Sequence, residues 1–343
     1  QRQMCIRDRL MPDLFNYYLC GAQVSEYSIA STTQMLDART KMWSKEVLES
    51  LGIPERILSG IVPCGTRLGF IKTGICQELG IEPMEVIAVA GHDTQSALAA
   101  VPARDKDFIF ISCGTWSLFG TELDEPVING LSERLNITNE GGCQGKISFL
   151  KNIIGLWLIQ ESRRQWIREG KEYSFGHLEQ MAADAKPFKA LIDPDAPEFV
   201  PAGNIPERIR RYCRESGQRV PENEAEIVRC IDESLAFKYR MTLEEIKMCT
   251  GREYPAIHMV GGGTQSGLLC QMTANACHCP VIAGPVEATV LGNAAVQLLA
   301  AGELRDLDQV RSVAGASAKV SIYEPKDTDQ WEQVYGQYKK MLE

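Results

Sequence analysis

Hydrophobic and polar positions in this chain follow two periods, one of strands and one of helices. Residues 86–90 are five small or apolar residues in a row and predict a buried strand. Gly91-His92-Asp93-Thr94 follows, then a run of small residues at 96–100 that predicts a helix, with Thr94 placed to cap it. A strand that stops and hands over to a helix delivers the intervening side chains to the carboxyl edge of a sheet, where ligands bind in open α/β folds. His92, Asp93 and Thr94 are therefore polar groups at an expected site mouth. The simpler alternative is a surface histidine beside a helix-capping aspartate.

Elsewhere the pattern predicts further elements. Residues 108–112 and 116–120 read as two strands of a hairpin around Cys113-Gly114-Thr115. Residues 151–160 carry apolar side chains at three- and four-residue steps and predict a helix, on which Asn152 and Gln160 would lie about 12 Å apart along one face. Asn223 is placed to cap a long helix with Ile227, Ile231, Leu235 and Tyr239 at four-residue steps, continued by Leu243 and Ile246 to Gly251. That stripe predicts a core helix. Residues 257–260 predict a strand running into Gly261-Gly262-Gly263, then a helix to about residue 276; residues 280–283 predict a strand and 287–301 a helix. Strand, helix, strand, helix in that order implies an α/β fold with a parallel or mixed sheet. Residues 331–342 predict an exposed amphipathic helix.

Toward the start, residues 1–9 are polar and patternless and read as a tag, a leader or a gene-model error. Met11-Pro12-Asp13 suits a first helical turn, with Gly21 ending that helix. Residues 102–107 are a polar turn expected to act as a hinge. With 343 residues, 44% hydrophobic and 24% charged, the chain has material for two domains or one large one. A net charge of -9 argues against a nucleic-acid role. The 12 cysteines follow no framework spacing, and no signal peptide or membrane-length apolar run accompanies them, so reduced thiols in the cytoplasm are expected. Cys277-His278-Cys279 lacks the C-x-x-C spacing of a zinc site.

Two turns carry candidate chemistry. The tip Ser112-Cys113-Gly114-Thr115 can aim backbone N–H groups and a hydroxyl at a phosphate, or be a plain structural hairpin. Gly261-x-Gly263-x-x-Ser266, with Glu287 further on, comes near the dinucleotide fingerprint. Its third glycine is replaced and little chain follows, so a nicotinamide enzyme stays an alternative only.

In combination the motifs are more specific. Gly91-His92-Asp93-Thr94, Ser112-Cys113-Gly114-Thr115-Trp116-Ser117, Asn136-Ile137-Thr138-Asn139-Glu140-Gly141-Gly142, Gly155-Leu156-Trp157-Leu158, Val260-Gly261-Gly262-Gly263 and Ile282-Ala283-Gly284-Pro285-Val286-Glu287-Ala288 resemble the FGGY family of carbohydrate kinases. The resemblance runs from about Leu10 to near the end of the chain. It implies the α/β actin/hexokinase-like ATPase fold (ribonuclease H-like). Residues 10–101 would be the end of a sugar-binding domain and 104–303 a complete nucleotide-binding domain. Residues 304–343 would form a helical tail, and 1–9 a leader outside the family.

The implied reaction moves the γ-phosphate of ATP, with Mg²⁺, to the 1-hydroxyl of L-rhamnulose. Asp93 would be the general base, with His92, Thr94 and Asn152 as sugar contacts. Thr115, Gln160 and Gly262 would contact ATP. Mg²⁺ would be held mainly through phosphate oxygens and water. Implied partners are the sugar and ATP, with no nucleic acid and no membrane. Other ketose or polyol kinases (fuculose, xylulose) and a non-catalytic relative of the fold are the alternatives. The family's opening Asp-x-Gly-Thr/Ser hairpin is absent before Met11. The expectation is a truncated kinase that does not turn over ATP by itself.

Overall fold

The structure, a computed structural model, describes residues 8–342, so most of the expected leader, residues 1–7, lies outside the described residues. The chain forms two compact units that are discontinuous in sequence. The first takes the residues up to Arg104, then Glu122–Leu150 and Glu287–Ala318; the second takes Asp105–Thr121, Lys151–Val286 and the residues from Lys319 onward.

In the first unit, helix Met11–Cys20 has Pro12 in its opening turn and ends at Gly21, whose backbone is left-handed at φ 85°. Strand Val24–Glu26 pairs in parallel with Gly60–Val62. Strand Glu85–Ala88 pairs antiparallel with Thr66–Phe70 and leads into helix Asp93–Ala99. Strand Thr138–Gly141 pairs antiparallel with residues 147–150. The Asp93–Ala99 helix is buried along nearly its whole length and packs against helix Ala288–Ala301. Ala, Ser and Gly line the contact, so the two backbones approach closely: a Cβ added to Gly292 would sit 1.7 Å from the Ser96 carbonyl oxygen. Ala90, Ala99, Ala295, Val296, Leu304, Leu307 and Val310 close the core beneath it.

The second unit is built on strands in the order Ser321–Tyr323, Val281–Ala283, Ile257–Val260, Ile109–Cys113 and Trp116–Leu123, the last running on into the first unit. Ile257–Val260 is parallel to both neighbours, whereas Ile109–Cys113 and Trp116–Leu123 form the expected antiparallel hairpin. Ile109, Phe110, Ile111, Met259, Val260 and Val281 are fully buried, which explains their continuous apolar runs. Helix Glu224–Thr250 is capped by Asn223, whose side chain accepts from Glu226 N, and its expected stripe from Ile227 to Ile246 is buried.

One expectation fails here and a second holds only in part. Residues 151–154 continue strand Ile147–Ile154, and the helix begins only at Trp157. The β-branched pair Ile153-Ile154 favours a strand and Gly155 interrupts a helix, so Asn152 shares no helix face with Gln160. Helix Thr328–Leu342 is amphipathic with one exposed face, but its other face is docked: Trp331, Tyr335 and Tyr338 are buried, with ring centroids 5.0, 5.9 and 5.4 Å from Phe237. Aromatics at i, i+4 and i+7 make a packing face. Among the described residues no helix is long and apolar enough to cross a membrane.

Candidate active site

The turn after strand Glu85–Ala88 is held from behind by a buried carboxylate. Glu26 Oε2 accepts from Gly91 N at 2.9 Å, Ser28 Oγ at 2.5 Å and Ile29 N at 3.2 Å, while Oε1 accepts from Ser28 N at 2.9 Å. His92 N donates to Ser28 Oγ at 3.2 Å, and Glu26 N donates to Asp13 Oδ1 at 3.0 Å. Burial raises the pKa of Glu26 despite these donors, and burial raises that of Asp13 to about 6. The Gly91-His92-Asp93 backbone is therefore fixed by hydrogen bonds from an element 65 residues earlier.

Asp93 is the first residue of the helix, and its side chain is 80% exposed. Its Oδ1 accepts from Thr94 N at 2.7 Å, which orients the carboxylate while the rest of it stays exposed. Thr94 is not the cap. The cap position is His92, and Thr94 lies inside the helix at 4% exposure, because Asp93 already satisfies its N–H.

The His92 ring bridges two carboxylates. Nδ1 lies 3.1 Å from Glu140 Oε2, and Nε2 lies 3.7 Å from Asp93 Oδ1. Burial lowers the His92 pKa, but contact with Glu140 and the charges of Glu140, Asp93 and Glu26 raise it by more, so its net position is above the ordinary 6.5. The stability this contributes is fully present below pH 6.5 and is lost as pH rises through the raised value. Glu140→Gln is expected to lower the His92 titration midpoint in NMR and to cost more stability at pH 6 than at pH 9. An unchanged midpoint would refute the pairing.

In the second unit the hairpin tip is latched to the start of helix Trp157–Arg168. Gly155 N and Trp157 N both donate to Thr115 O at 3.1 Å, and Leu156 N donates to Gly114 O at 3.0 Å. Thr115 Oγ1 donates to Gln160 Oε1 at 3.2 Å. Beside them the Gly261-Gly262-Gly263 turn follows strand Ile257–Val260. Gly261 has φ 88°, and a Cβ there would lie 2.9 Å from Cys113 O, so only glycine fits between the strands. Ser266 caps the next helix by accepting from Leu269 N at 3.2 Å. Gln160, Gly262, Gly263 and Ser266 border one cavity of about 410 Å³.

Thr115, Gln160 and Gly262 are thus brought together in one unit, and His92, Asp93 and Thr94 in the other. Asn152 lies on strand Ile147–Ile154 with its side chain exposed. No spacing or pattern in the sequence singles out Glu26, Ser28 or Asp232, and Glu140 stands in a motif that gives it no role. Among the described residues no group of three His, Cys, Asp or Glu side chains is placed to hold a metal ion.

The chain resembles known proteins along most of its length. Residues 5–100 match the FGGY family of carbohydrate kinases, N-terminal domain, and residues 109–301 match its C-terminal domain. It is 43% identical over 332 residues to a rhamnulokinase of Bacteroides thetaiotaomicron and 40% identical over 322 residues to one of Enterococcus faecalis. These alignments take in 97% and 93% of this chain, and the chain spans 68% and 65% of those relatives' lengths. Among solved structures, a gluconate kinase from Lactobacillus acidophilus superposes with TM-score 0.73 at 19% identity, over 96% of this chain and 66% of that one. A Plasmodium falciparum glycerol kinase with ADP superposes with TM-score 0.70 at 16% identity, over 96% and 64%. The fold is thus the actin/hexokinase-like one of these kinases, and the two matching domain models together establish that the chain belongs to the FGGY family of carbohydrate kinases.

Proposed function

We propose that the protein carrying this chain transfers the γ-phosphate of MgATP to the 1-hydroxyl of L-rhamnulose, with Asp93 as general base. The observation that carries this reading is the Asp93 carboxylate: fixed through Oδ1 by Thr94 N, otherwise exposed, and set on a turn braced by Glu26. The identity to curated rhamnulokinases supports the choice of sugar. Phosphoryl transfer asks a protein for positioning and charge placement rather than covalent chemistry. Oδ2 takes the hydroxyl proton as the sugar oxygen attacks the γ-phosphorus and the β–γ bridging oxygen leaves with ADP. His92, whose Nε2 lies 3.7 Å from the same Oδ1, presents its ring beside the sugar; Asn152 is a further sugar contact. Thr115 and Gln160 hold the phosphate side of the nucleotide, and the Gly261-Gly262-Gly263 turn lets backbone approach it. The magnesium enters with the nucleotide as part of the substrate.

The test is an ADP-release assay of the whole protein that carries this chain, over a sugar panel: L-rhamnulose, L-fuculose, D-xylulose and glycerol. L-Rhamnulose is expected to exceed the others in kcat/KM by at least about tenfold, the discrimination of a little over one lost hydrogen bond. A higher value for D-xylulose or L-fuculose would overturn the choice of sugar, and no ADP release with any of the four would overturn the kinase reading.

A further inference from the structure

Helix Glu224–Thr250 does more than fill the core. Its Val228 and Asp232 border the cavity that also holds Gln160 and Gly262. Asp232 is 2% exposed, and its Oδ1 is buried without a hydrogen-bond partner. The other buried carboxylates of this unit all meet a cation: Glu161 meets Arg164 at 2.8 Å, Glu233 meets Arg229 at 2.7 Å, and Glu245 meets Lys151 at 2.7 Å. A buried acid without a partner is costly to fold around. One that borders a cavity has a place where a ligand can supply the missing contact.

We infer that Asp232 reads the nucleotide base, its carboxyl accepting the exocyclic amino group of an adenine seated in this cavity. This rests on the kinase reading above. Leu156, Ile159, Phe175 and Val228 supply apolar surface for the faces of a base. Two neighbouring acceptor oxygens are already engaged: Glu179 Oε1 accepts from Leu268 N at 2.8 Å and Ser266 Oγ at 3.4 Å, and Gln160 Oε1 accepts from Thr115. Burial, with the charges of Glu179 and Glu233, pushes the Asp232 acid well above its ordinary range against the opposing pull of Arg229. A neutral acid adds no negative charge near a polyphosphate. It can also give its O–H to the ring nitrogen beside the amino group.

The experiment uses calorimetric titration of the full 343-residue chain with ADP and with purine riboside 5′-diphosphate, which is ADP without its amino group. Wild type is expected to prefer ADP by about tenfold or more, since the analogue leaves the carboxyl unpaired. Asp232→Asn keeps an acceptor oxygen and is expected to keep the preference. Asp232→Leu is expected to bind both ligands equally, with affinity for the analogue within about threefold of wild type. Asp232→Ala replaces it if circular dichroism shows that the leucine variant does not fold. Equal affinity in wild type, or a preference that survives in Asp232→Leu, overturns this inference while leaving the nucleotide site standing. Failure of wild type to bind either ligand overturns the nucleotide reading itself, and this inference with it.

Discussion

Asp93→Asn is expected to lower kcat by about 10²–10⁴-fold, the contribution of a positioned general base. The side chain changes by one atom and keeps an oxygen to accept from Thr94 N, a contact now 2.7 Å long. The turn should therefore stay as it is, braced by Glu26 on Gly91 N and by Ser28 on His92 N. The asparagine loses the means to accept a proton from the sugar hydroxyl. The sugar KM and the affinity for ADP are expected to stay within a few-fold of wild type, so the defect falls on turnover. Steady-state kinetics of the whole protein that carries this chain, with L-rhamnulose, check this, alongside thermal unfolding to show that the fold is intact. Retention of more than a tenth of wild-type kcat would remove Asp93 from the role of base.

The second large effect is on the fold. Gly292→Val is expected to destabilise the protein by about 3 kcal/mol or more. The new Cβ would stand 1.7 Å from the Ser96 carbonyl oxygen and 2.7 Å from its carbon. The obstacle is backbone, not the end of a flexible side chain, so rotamer changes cannot relieve it. The Asp93–Ala99 helix would have to move off helix Ala288–Ala301, opening the small-residue core around Ala99 and Ala295. Asp93 rides on the displaced helix, so kcat should fall together with stability. Urea unfolding gives the measurement, with Gly336→Ala as the control: that glycine lies in helix Thr328–Leu342 with nothing within 4 Å of an added Cβ. The alanine there should be neutral or slightly stabilising. Equal midpoints for the valine variant and wild type would mean that the two helices are not packed as described.

How much of this was legible in the sequence depended on how local each feature is. The hairpin around Thr115 and the strand before Gly261 could be read because a strand buried on both faces is written as an unbroken apolar run. The Asp93 turn could be read because strand, glycine and helix follow one another directly. Asn152 was misplaced because Leu150, Ile153, Ile154 and Leu158 suit a helix face as well as a strand, and pairing decided in favour of the strand. Glu26 and Glu140 went unassigned since their partners, Gly91 and His92, are far away in the chain and no spacing rule links them. Asp232 follows Ile231 on a helix otherwise read as core. Sequence alone assigns an acid there to solvent, and only the cavity beside it shows otherwise. The terminal aromatics Trp331, Tyr335 and Tyr338 carried the right period, but their partner Phe237 lies on another helix.

The packing of helix Ala288–Ala301 onto the Asp93 helix has a consequence for how the protein is made. Thr289 Oγ1 donates to the Asp93 backbone carbonyl at 3.4 Å across 196 residues of chain. At ribosomal speeds of 5–20 residues per second, the Asp93 helix waits roughly 10–40 s after its own synthesis before that partner emerges. During this interval the small-residue face of a nascent helix is uncovered, while nearly all of the second unit is translated behind it. The Asp93 turn is thus translated well before the helix that seats it, which makes the unfinished chain a natural client for a holding chaperone.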